Sequence, residues 1–357
     1  MRPELTQQID RVRARLARLP HASLAFLPTP LQPCPRLTKE LGGPHLYIKR
    51  DDLTGLAFGG NKVRQHEYIL GEALRQGADC FVQGAAAQSN HSRQLAAAGA
   101  QLGVDTYLLP KDDGFMNPAV GNLLIDRILG AQISPIRATD STIAAKSALV
   151  ARLTTDGRHP FVTGMGAQAA LMLAAVAYVD ALFEIVEQMP DERIPDAIYT
   201  ASQGSTQGGM MLACEMLGLP TRVIGIAPMR ADSEARMSKP EIVEMIHSAG
   251  ELLGHESAIT VDDIELRDEF VGPDYGVPSE ESIEAIGTVG RLEGVLLDPV
   301  YSGKAFAGLT ADVGAARFTT SDHVVFLHTG GLPALFVHAE QVVAGLDRHR
   351  RTNPSEE

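Results

Sequence analysis

Short apolar segments that alternate with helix-length segments constrain the fold of this chain more than any other feature. Near-continuous apolar strands between helices are typical of parallel sheets covered on both faces by helices. Several helix-length segments end at a Leu-Gly pair, where glycine can adopt the left-handed conformation that closes a helix. The sequence therefore predicts an α/β fold of open, twisted, mostly parallel sheets. The candidate strands are residues 80–83, 106–109, 161–163, 197–200, 222–226, 295–297 and 323–328.

The candidate strands divide into an early and a late group. Those near residues 80, 106, 133 and 161 can form one small sheet, and those from residue 197 onward can form a larger one. No internal repeat or long low-complexity linker separates the groups. Composition alone therefore places no domain boundary.

The charge balance excludes several classes of partner. The chain carries 31 Lys and Arg against 44 Asp and Glu, a net charge of −13, and no cluster of five or more basic residues. Nucleic acids and anionic membrane surfaces are bound through a basic face, so we expect neither partner. No uninterrupted apolar run approaches the ~20 residues of a membrane-spanning helix, so we expect no such span.

Residues 1–20 are rich in arginine, and we interpret them as a surface helix rather than a targeting peptide. They contain Glu4 and Asp10 and lack the apolar segment of a secretory signal. Helical spacing turns one apolar face toward the core. The residues of that face are Leu5, Ile9, Val12, Leu16 and Leu19.

The three cysteines, Cys34, Cys80 and Cys214, are scattered and form no CxxC pair. A disulfide framework or a zinc site is therefore not expected, whereas a reducing cytoplasm is. We expect each cysteine to be a small buried apolar residue. The histidines show no metal-ligand spacing either, so no metal site is predicted.

A glycine pair precedes Lys62 at the start of a helical pattern. The chain runs from a short strand through the charged turn RDD to GGNKVR, residues 59–64. Two glycines permit close backbone approach to a ligand. A lysine near the positive end of a helix has a lowered pKa, so its neutral amine can attack an aldehyde. Taken alone, these six residues fit a solvated surface lysine better.

Polar residues also crowd the end of the candidate strand at residues 80–83. The segment GAAAQSNHSRQ follows, and its Gln88, Ser89, Asn90 and His91 precede an Ala-rich helix. Donors and a helix N-terminus at the carboxyl end of a strand mark the place where open α/β sheets bind ligands. Helix capping explains one of these residues, whereas a site for a carboxylate explains all four.

A loop rich in glycine and hydroxyl side chains follows the candidate strand at residues 197–200. Such a loop at a helix start presents N–H and O–H donors to a phosphate. It is neither a Walker A loop nor a dinucleotide fingerprint. It therefore suits pyridoxal 5′-phosphate (PLP) better than ATP or NAD. Its candidate ligands are Gly204, Ser205, Thr206, Gln207 and Gly208.

Three late segments carry further polar side chains. GPDYGVP contains Tyr275, DPVYSGKA contains Tyr301 and Ser302, and FLHTGG contains Thr329. Each tyrosine by itself is better interpreted as a packing residue with a satisfied hydroxyl.

The combination and order of these motifs resemble those of the D-cysteine desulfhydrase / 1-aminocyclopropane-1-carboxylate (ACC) deaminase family. The motifs that carry the resemblance are IKRDD, GGNKxR, QSNHxRQ, YGVP, DPVYxGKA and HTGG. The similarity runs from about residue 27 to about residue 336. It implies PLP as cofactor and PLP fold type II, the tryptophan synthase β-like fold. It also implies a large domain, residues 1–64 and 176–357, with residues 65–175 inserted as a small domain, and a homodimer.

The resemblance implies a role for each candidate residue. Lys62 would carry PLP as a Schiff base, Asn90 would hydrogen-bond the PLP 3′-oxygen, and Ser89 would meet the substrate carboxylate or help to move protons. Residues 204–208 would bind the phosphate, and Ser302 and Thr329 would face the pyridine nitrogen. The substrate would be contacted by Gln88, His91, Tyr275 and Tyr301, and the two tyrosines would also act in proton transfer.

Ser302 and Thr329 favour one reaction within the family. ACC deaminases resemble one another in carrying Glu and Leu at these positions, and that Glu would keep the pyridine nitrogen protonated. Neutral hydroxyls do not, and loss of a good leaving group such as thiolate needs less stabilisation of the carbanion. The sequence therefore predicts a lyase that converts D-cysteine to pyruvate, ammonia and sulfide. The alternatives are an ACC deaminase, an L-cysteate lyase that releases sulfite, a PLP-holding ligand sensor without turnover, and a generic phosphometabolite-binding protein.

Overall fold

The computed structural model describes residues 3–164, 166–202, 204–233 and 236–352. Their strands form two sheets, one of six strands in the order β1-β2-β10-β7-β8-β9 and one of four in the order β5-β4-β3-β6. In chain order the strands are β1 (Leu31–Pro33), β2 (His45–Lys49), β3 (Cys80–Ala86), β4 (Asp105–Lys111), β5 (Gln132–Ile133), β6 (Pro160–Val162), β7 (Ala197–Ala201), β8 (Arg222–Ile226), β9 (Leu266–Arg267) and β10 (His323–Leu327).

All neighbouring strands in both sheets are parallel except β1, which is antiparallel to β2. The four early strands make the smaller sheet, and the late strands join β1 and β2 in the larger one. The predicted α/β fold with two mostly parallel sheets is confirmed.

The segments between the strands are mostly helical. The glycines predicted to close helices do so, with positive φ at Gly103 (70°), Gly130 (79°) and Gly218 (62°). The helices are α1 (Pro3–Leu16), α2 (Pro35–Leu41), α3 (Asn61–Arg75), α4 (Asn90–Leu102), α5 (Gly121–Ile128), α6 (Thr142–Thr155), α7 (Gln168–Gln188), α8 (Ser205–Leu217), α9 (Lys239–Leu252), α10 (Glu280–Glu293), α11 (Ser302–Gly314), α12 (Pro333–Val337) and α13 (Ala339–Thr352).

Helix α7 packs against both sheets. Its first turns, with Leu173 and Ala174, share a core with Phe81 of the small sheet. Its later turns lie in the larger core, which includes Ile198 and Val325. Among the helices of the described ranges, α7 alone is long and apolar enough to cross a membrane. However, 78% of its most apolar 18-residue segment is buried inside the protein. It is therefore a core helix.

Two smaller predictions are confirmed. Helix α1 is amphipathic and buries Ile9, Val12 and Leu16. The three cysteines are buried and have free thiols. Both observations follow from burial of small and branched apolar side chains away from water.

The prediction of a strand at residues 295–297 is wrong. Val295 and Leu297 are 1% and 0% exposed and Leu296 is 55% exposed, which is the alternation of a strand. The segment pairs with no strand in the described part of the chain, and the Leu296 carbonyl is instead hydrogen-bonded to His328 Nε2 (2.9 Å). An extended connection and a strand share the same side-chain period, so the sequence pattern does not separate them.

Candidate active site

A cavity of about 430 Å³ lies at the carboxyl ends of strands from both sheets. Its wall is built by the segments that follow β2, β3 and each strand from β5 to β10. This is the position where open parallel sheets bind ligands. The cavity brings together nine of the residues predicted from sequence: Lys62, Ser89, Asn90, His91, Ser205, Thr206, Tyr275, Tyr301 and Thr329.

Lys62 enters the cavity from the first turn of α3. Gly60, the residue before the helix, has a φ of 123°, and a Cβ there would lie 2.5 Å from Gln94 Nε2 and 3.0 Å from the Thr329 carbonyl oxygen. Only glycine therefore fits at this position. Burial lowers the pKa of Lys62 to about 8. Near pH 8, Lys62 is therefore a neutral, nucleophilic amine in a substantial fraction of the protein molecules.

The start of α8 faces the start of α3 across the cavity. The N–H groups of Ser205 and Thr206 lie in the first turn, where α-helical N–H groups have no intrahelical acceptor. Asn61 Nδ2 donates to Thr206 Oγ1 (3.1 Å), and Gln65 Nε2 donates to Ser205 Oγ (3.3 Å). These N–H, hydroxyl and amide groups could act as a seat for a phosphate next to Lys62.

Three of the predicted phosphate ligands, Gly204, Gln207 and Gly208, lie outside this seat. The Gly204 N–H donates to Ser202 Oγ (3.1 Å). Gln207 is buried and donates from Nε2 to the carbonyls of Val223 (3.1 Å) and Glu265 (2.8 Å). The Gly208 N–H donates to the Gly204 carbonyl (2.8 Å), and a Cβ on Gly208 would contact Met245 and Ile246 of α9. A bulky side chain at position 208 would therefore disturb the core rather than the cavity. Gln203 lies outside the described residues.

Ser89 and Asn90 begin α4 at the cavity wall. Ser89 Oγ caps the helix by accepting from the Ser92 N–H (3.2 Å). Asn90 Oδ1 accepts from Asn122 Nδ2 (3.0 Å) and from Arg93 Nη2 (3.4 Å). These bonds hold the Asn90 carbonyl and leave its NH₂ group as the donor for a ligand. The helix N-terminus beside it favours an anion.

Gln88, which was predicted to contact substrate, is placed elsewhere. Its Nε2 donates to the Phe115 carbonyl (3.1 Å) and its Oε1 accepts from the Asn122 N–H (2.8 Å). It does not belong to the cavity wall. Its side chain instead fixes the loop that precedes α5.

Tyr275 and Tyr301 meet on the cavity wall. Their hydroxyls are hydrogen-bonded to each other, and the ring planes are inclined by 70°. Burial raises the pKa of Tyr275 to about 12, and burial together with Tyr275 raises the pKa of Tyr301 well above its usual range. Both hydroxyls are therefore neutral at physiological pH. The pair can donate a proton but is not a phenolate base.

Thr329 lines the cavity, whereas Ser302 lies behind the wall. Ser302 is 0% exposed, its Oγ donates to Asp298 Oδ1 (2.6 Å), and it accepts from the Asp298 N–H (2.7 Å). Asp298 Oδ2 accepts from the N–H groups of Val300 and Tyr301 (2.9 Å each). Asp298 Oδ1 also accepts from the Ser302 N–H (2.8 Å), so four donors from its own turn satisfy the Asp298 carboxylate.

The sequence patterns did not indicate an imidazole pair beside Lys62. His66 of α3 and His91 of α4 have ring centroids 4.8 Å apart. Both ring nitrogens of His66 and Nε2 of His91 are buried without a hydrogen-bond partner in the described part of the chain. Burial lowers the pKa of His66 to about 3, so the pair is uncharged. Nothing in the spacing of two histidines 25 residues apart predicts this contact.

Lys49 and Asp51 of the IKRDD motif and Arg64 of the GGNKVR motif form a buried ion cluster with Glu184 of α7. Arg64 contacts Asp51 (2.8 Å) and Glu184 (2.7 Å), and Lys49 contacts Glu184 (2.7 Å). The signal for this cluster was the run of four charges at the end of the apolar strand β2. Among the described residues, no group of three or more His, Cys, Asp or Glu side chains could hold a metal ion.

Comparisons with known proteins agree with this geometry. The family model described as "Pyridoxal-phosphate dependent enzyme" matches residues 22–330. The D-cysteine desulfhydrase of Salmonella typhi is 35% identical over 334 residues, which are 92% of this chain and 98% of that protein. The D-cysteine desulfhydrase of Salmonella newport (strain SL254) has the same identity and coverage.

Two solved structures are similar as well. The crystal structure of an ACC deaminase homologue has a TM-score of 0.84 and 32% identity and covers 97% of this chain and 100% of that one. The processed form of threonine deaminase isoform 2 from Solanum lycopersicum has a TM-score of 0.62 and 18% identity over 97% of this chain and 89% of that one. The second likeness concerns the fold alone.

Proposed function

Because the chain belongs to the pyridoxal-phosphate dependent enzymes and is a lyase of the D-cysteine desulfhydrase and ACC deaminase type, we propose that its substrate is D-cysteine. The reaction consumes one water and yields pyruvate, ammonia and sulfide. The Cβ–S bond and the Cα–N bond break, and no oxidant or reductant is needed.

The cavity fits the cofactor. Lys62 supplies an amine whose pKa is about 8, and the start of α8 supplies N–H and hydroxyl donors from Ser205 and Thr206 for the phosphate. Asn90 presents its NH₂ group, which we propose binds the 3′-oxygen. When bound, PLP draws electrons away from the Cα atom of the attached amino acid.

Side chains of this chain would perform the proton transfers. The neutral Lys62 amine can take the Cα proton, because with a pKa lowered to about 8 roughly half of it is unprotonated near pH 8. The N-terminus of α4 with Ser89 would orient the substrate carboxylate. The Tyr275–Tyr301 pair, whose hydroxyls stay neutral, would donate a proton to the departing thiolate.

The observation that carries the choice of D-cysteine is the neutral Thr329 hydroxyl on the cavity wall, which we propose faces the pyridine nitrogen of PLP. Ser302 lies behind that wall and is bonded to an Asp298 carboxylate that four donors already satisfy. These hydroxyls do not keep a ring nitrogen protonated, as a carboxylate would. A weaker electron sink suffices for thiolate loss but not for opening the cyclopropane of ACC.

The experiment is a side-by-side assay of purified protein on D-cysteine, L-cysteine, L-cysteate, β-chloro-D-alanine and ACC. We expect pyruvate from D-cysteine and β-chloro-D-alanine, and little 2-oxobutyrate from ACC. The Lys62→Ala variant is the blank for cofactor-independent breakdown. Dominant turnover of ACC would show that the hydroxyl argument is wrong, and dominant turnover of L-cysteate would move the substrate to the sulfonate while keeping the chemistry.

We also propose that the protein is a homodimer. Phe26 and Phe58 are 76% and 59% exposed, and both flank the same turn, since Phe26 lies over Gly55. Large exposed aromatic side chains beside one turn indicate an interaction surface. Light scattering should give twice the 38.2 kDa mass of one chain, and Phe26→Asp should shift the mass toward one chain. A wild-type mass of one chain would contradict the proposal.

We further propose that residues 65–175 form the small domain and residues 1–64 with 176–357 the large one. These limits fall within α3 and α7, the two helices that pack against each other between the sheets.

We infer a cytoplasmic location from the three buried free thiols.

A further inference from the structure

Arg93 is a buried arginine to which no carboxylate of the described residues is bonded directly. It is 0% exposed, and its nearby acidic neighbour, Asp126, acts on it only through space. Burial lowers the pKa of Arg93 to about 10. A buried guanidinium without a bonded carboxylate is unfavourable for stability, so its contacts need another explanation.

The contacts of Arg93 reach the turn that precedes Lys62. Its Nη1 donates to the Ala57 carbonyl, and its Nη2 donates to the Gly59 carbonyl (3.2 Å). Gln94, the next residue of α4, also donates from Nε2 to the Gly59 carbonyl. Two adjacent side chains of one helix therefore hold the same short turn.

That turn is strained. Ala57 and Phe58 have φ values of 42° and 70°, in the left-handed region that side chains other than glycine rarely adopt. Such a conformation persists only where the surroundings hold it. The donors from Arg93 and Gln94 supply that restraint three to five residues before Lys62.

The same arginine also reaches the ligand end of α4. Its Nε donates to Asn122 Oδ1 (2.8 Å), and Nη2 contacts Asn90 Oδ1 (3.4 Å). Asn122 in turn donates to Asn90 Oδ1 (3.0 Å). One side chain thus connects the turn before Lys62 with the residue that begins α4.

We propose that Arg93 and Gln94 are positioning residues that hold Lys62 at a set distance from the α4 N-terminus. This inference rests on the proposed roles of Lys62 and Asn90. We call the hydrogen bonds from Arg93 and Gln94 to the turn at residues 57–59 the clamp. Without the clamp, this turn relaxes and the Lys62 amine moves away from the reacting carbon. The α4 N-terminus still binds the carboxylate, so kcat falls while KM changes little.

The test uses Arg93→Lys, Arg93→Ala and Gln94→Met. For Arg93→Ala we expect a roughly 100-fold lower kcat, because a displacement of about 1 Å has that effect, with KM within about threefold. For Gln94→Met, which loses one hydrogen bond, we expect a fivefold to tenfold lower kcat. Added guanidinium should restore part of the kcat of Arg93→Ala, and Arg93→Lys should lie between wild type and Arg93→Ala.

A second readout does not depend on turnover. The rate at which apoprotein attaches PLP, followed by visible absorbance and trapped with borohydride, should fall in the same order as kcat. The PLP attachment rate tests the clamp independently of the proposed substrate. If wild-type protein attaches PLP but does not turn over D-cysteine, only the proposed reaction is contradicted.

The matched control is Arg158→Met, which removes an arginine that bonds Asp79 and Asp105 at the small sheet. It should lower the unfolding midpoint and leave kcat and PLP attachment unchanged. If the Arg93 and Gln94 variants also change only the unfolding midpoint, the clamp has no positioning role and the proposal fails. If Arg93→Ala does not fold, Gln94→Met decides the matter by the same two readouts. This variant also removes Gln94 Oε1, which has no hydrogen-bond partner among the described residues.

Discussion

Replacing Lys62 with alanine is expected to lower lyase activity by at least roughly 10³-fold, because both the attachment of PLP and the Cα proton transfer would be lost. Lys62 lines the cavity and has a pKa lowered to about 8. In wild type, borohydride should fix PLP to the peptide that contains Lys62, as read by mass spectrometry.

Lys304 provides the matched control, since it is also buried with a pKa lowered to about 8. Its ammonium donates to the Asp274 carbonyl (3.0 Å) and does not line the cavity. Lys304→Met should therefore keep the borohydride label on the Lys62 peptide. Labelling of the Lys304 or Lys49 peptide in wild type would show that the assignment of Lys62 is wrong.

The pH dependence of PLP attachment follows from the same lysine. Only the neutral amine attacks the aldehyde, so the attachment rate should rise about tenfold per pH unit below the Lys62 pKa and level off above it. With a pKa of about 8, the bend lies near pH 8. A bend near the ordinary lysine value, about 10.4, would mean that burial does not act on Lys62 in solution.

Replacing Tyr301 with phenylalanine is expected to lower kcat by roughly 10²-fold, the lower part of the range for loss of a general acid. PLP affinity should stay within about threefold, because the tyrosine pair lies apart from the phosphate seat at α8. Steady-state kinetics and PLP titration measure the two effects separately.

Tyr275→Phe and the double variant test whether the two hydroxyls act as one unit. They are hydrogen-bonded to each other, so the double variant should lose no more than the more impaired single one. Tyr47→Phe, which removes a hydroxyl bonded to His323 Nδ1 (3.1 Å) away from the cavity, should leave kcat unchanged. Additive losses in the double variant would mean independent roles.

The general layout of the cavity could be predicted from sequence because it depends on local chemistry. The proposal for Lys62 came instead from the resemblance of the combined motifs, since the residues around it alone fit a surface lysine better. Apolar runs between helices predict parallel strands, and the carboxyl ends of parallel strands gather at one edge. Within the large sheet, the polar loops after β7 and β10 therefore lie near the glycine pair that follows β2. The loop after β3 belongs to the small sheet, and only the packing of the two sheets brings it to the same cavity.

The direction of each side chain was decided only by tertiary structure. Ser205 and Gln207 lie two residues apart in one helical turn, but α8 packs so that Ser205 faces the cavity and Gln207 faces the carbonyls of Val223 and Glu265. Ser302 likewise turns to Asp298. A loop pattern does not specify which side of a helix start meets the neighbouring sheet.

Contacts between distant segments also came from the fold alone. The His66–His91 pair and the clamp from Arg93 to the turn at residues 57–59 exist because α3 and α4 pack side by side. The sequence by itself determined which elements form and which loops follow the strands, since propensity and period are local. The packing of those elements decided which side chains meet, because burial and hydrogen-bond satisfaction are properties of the whole chain.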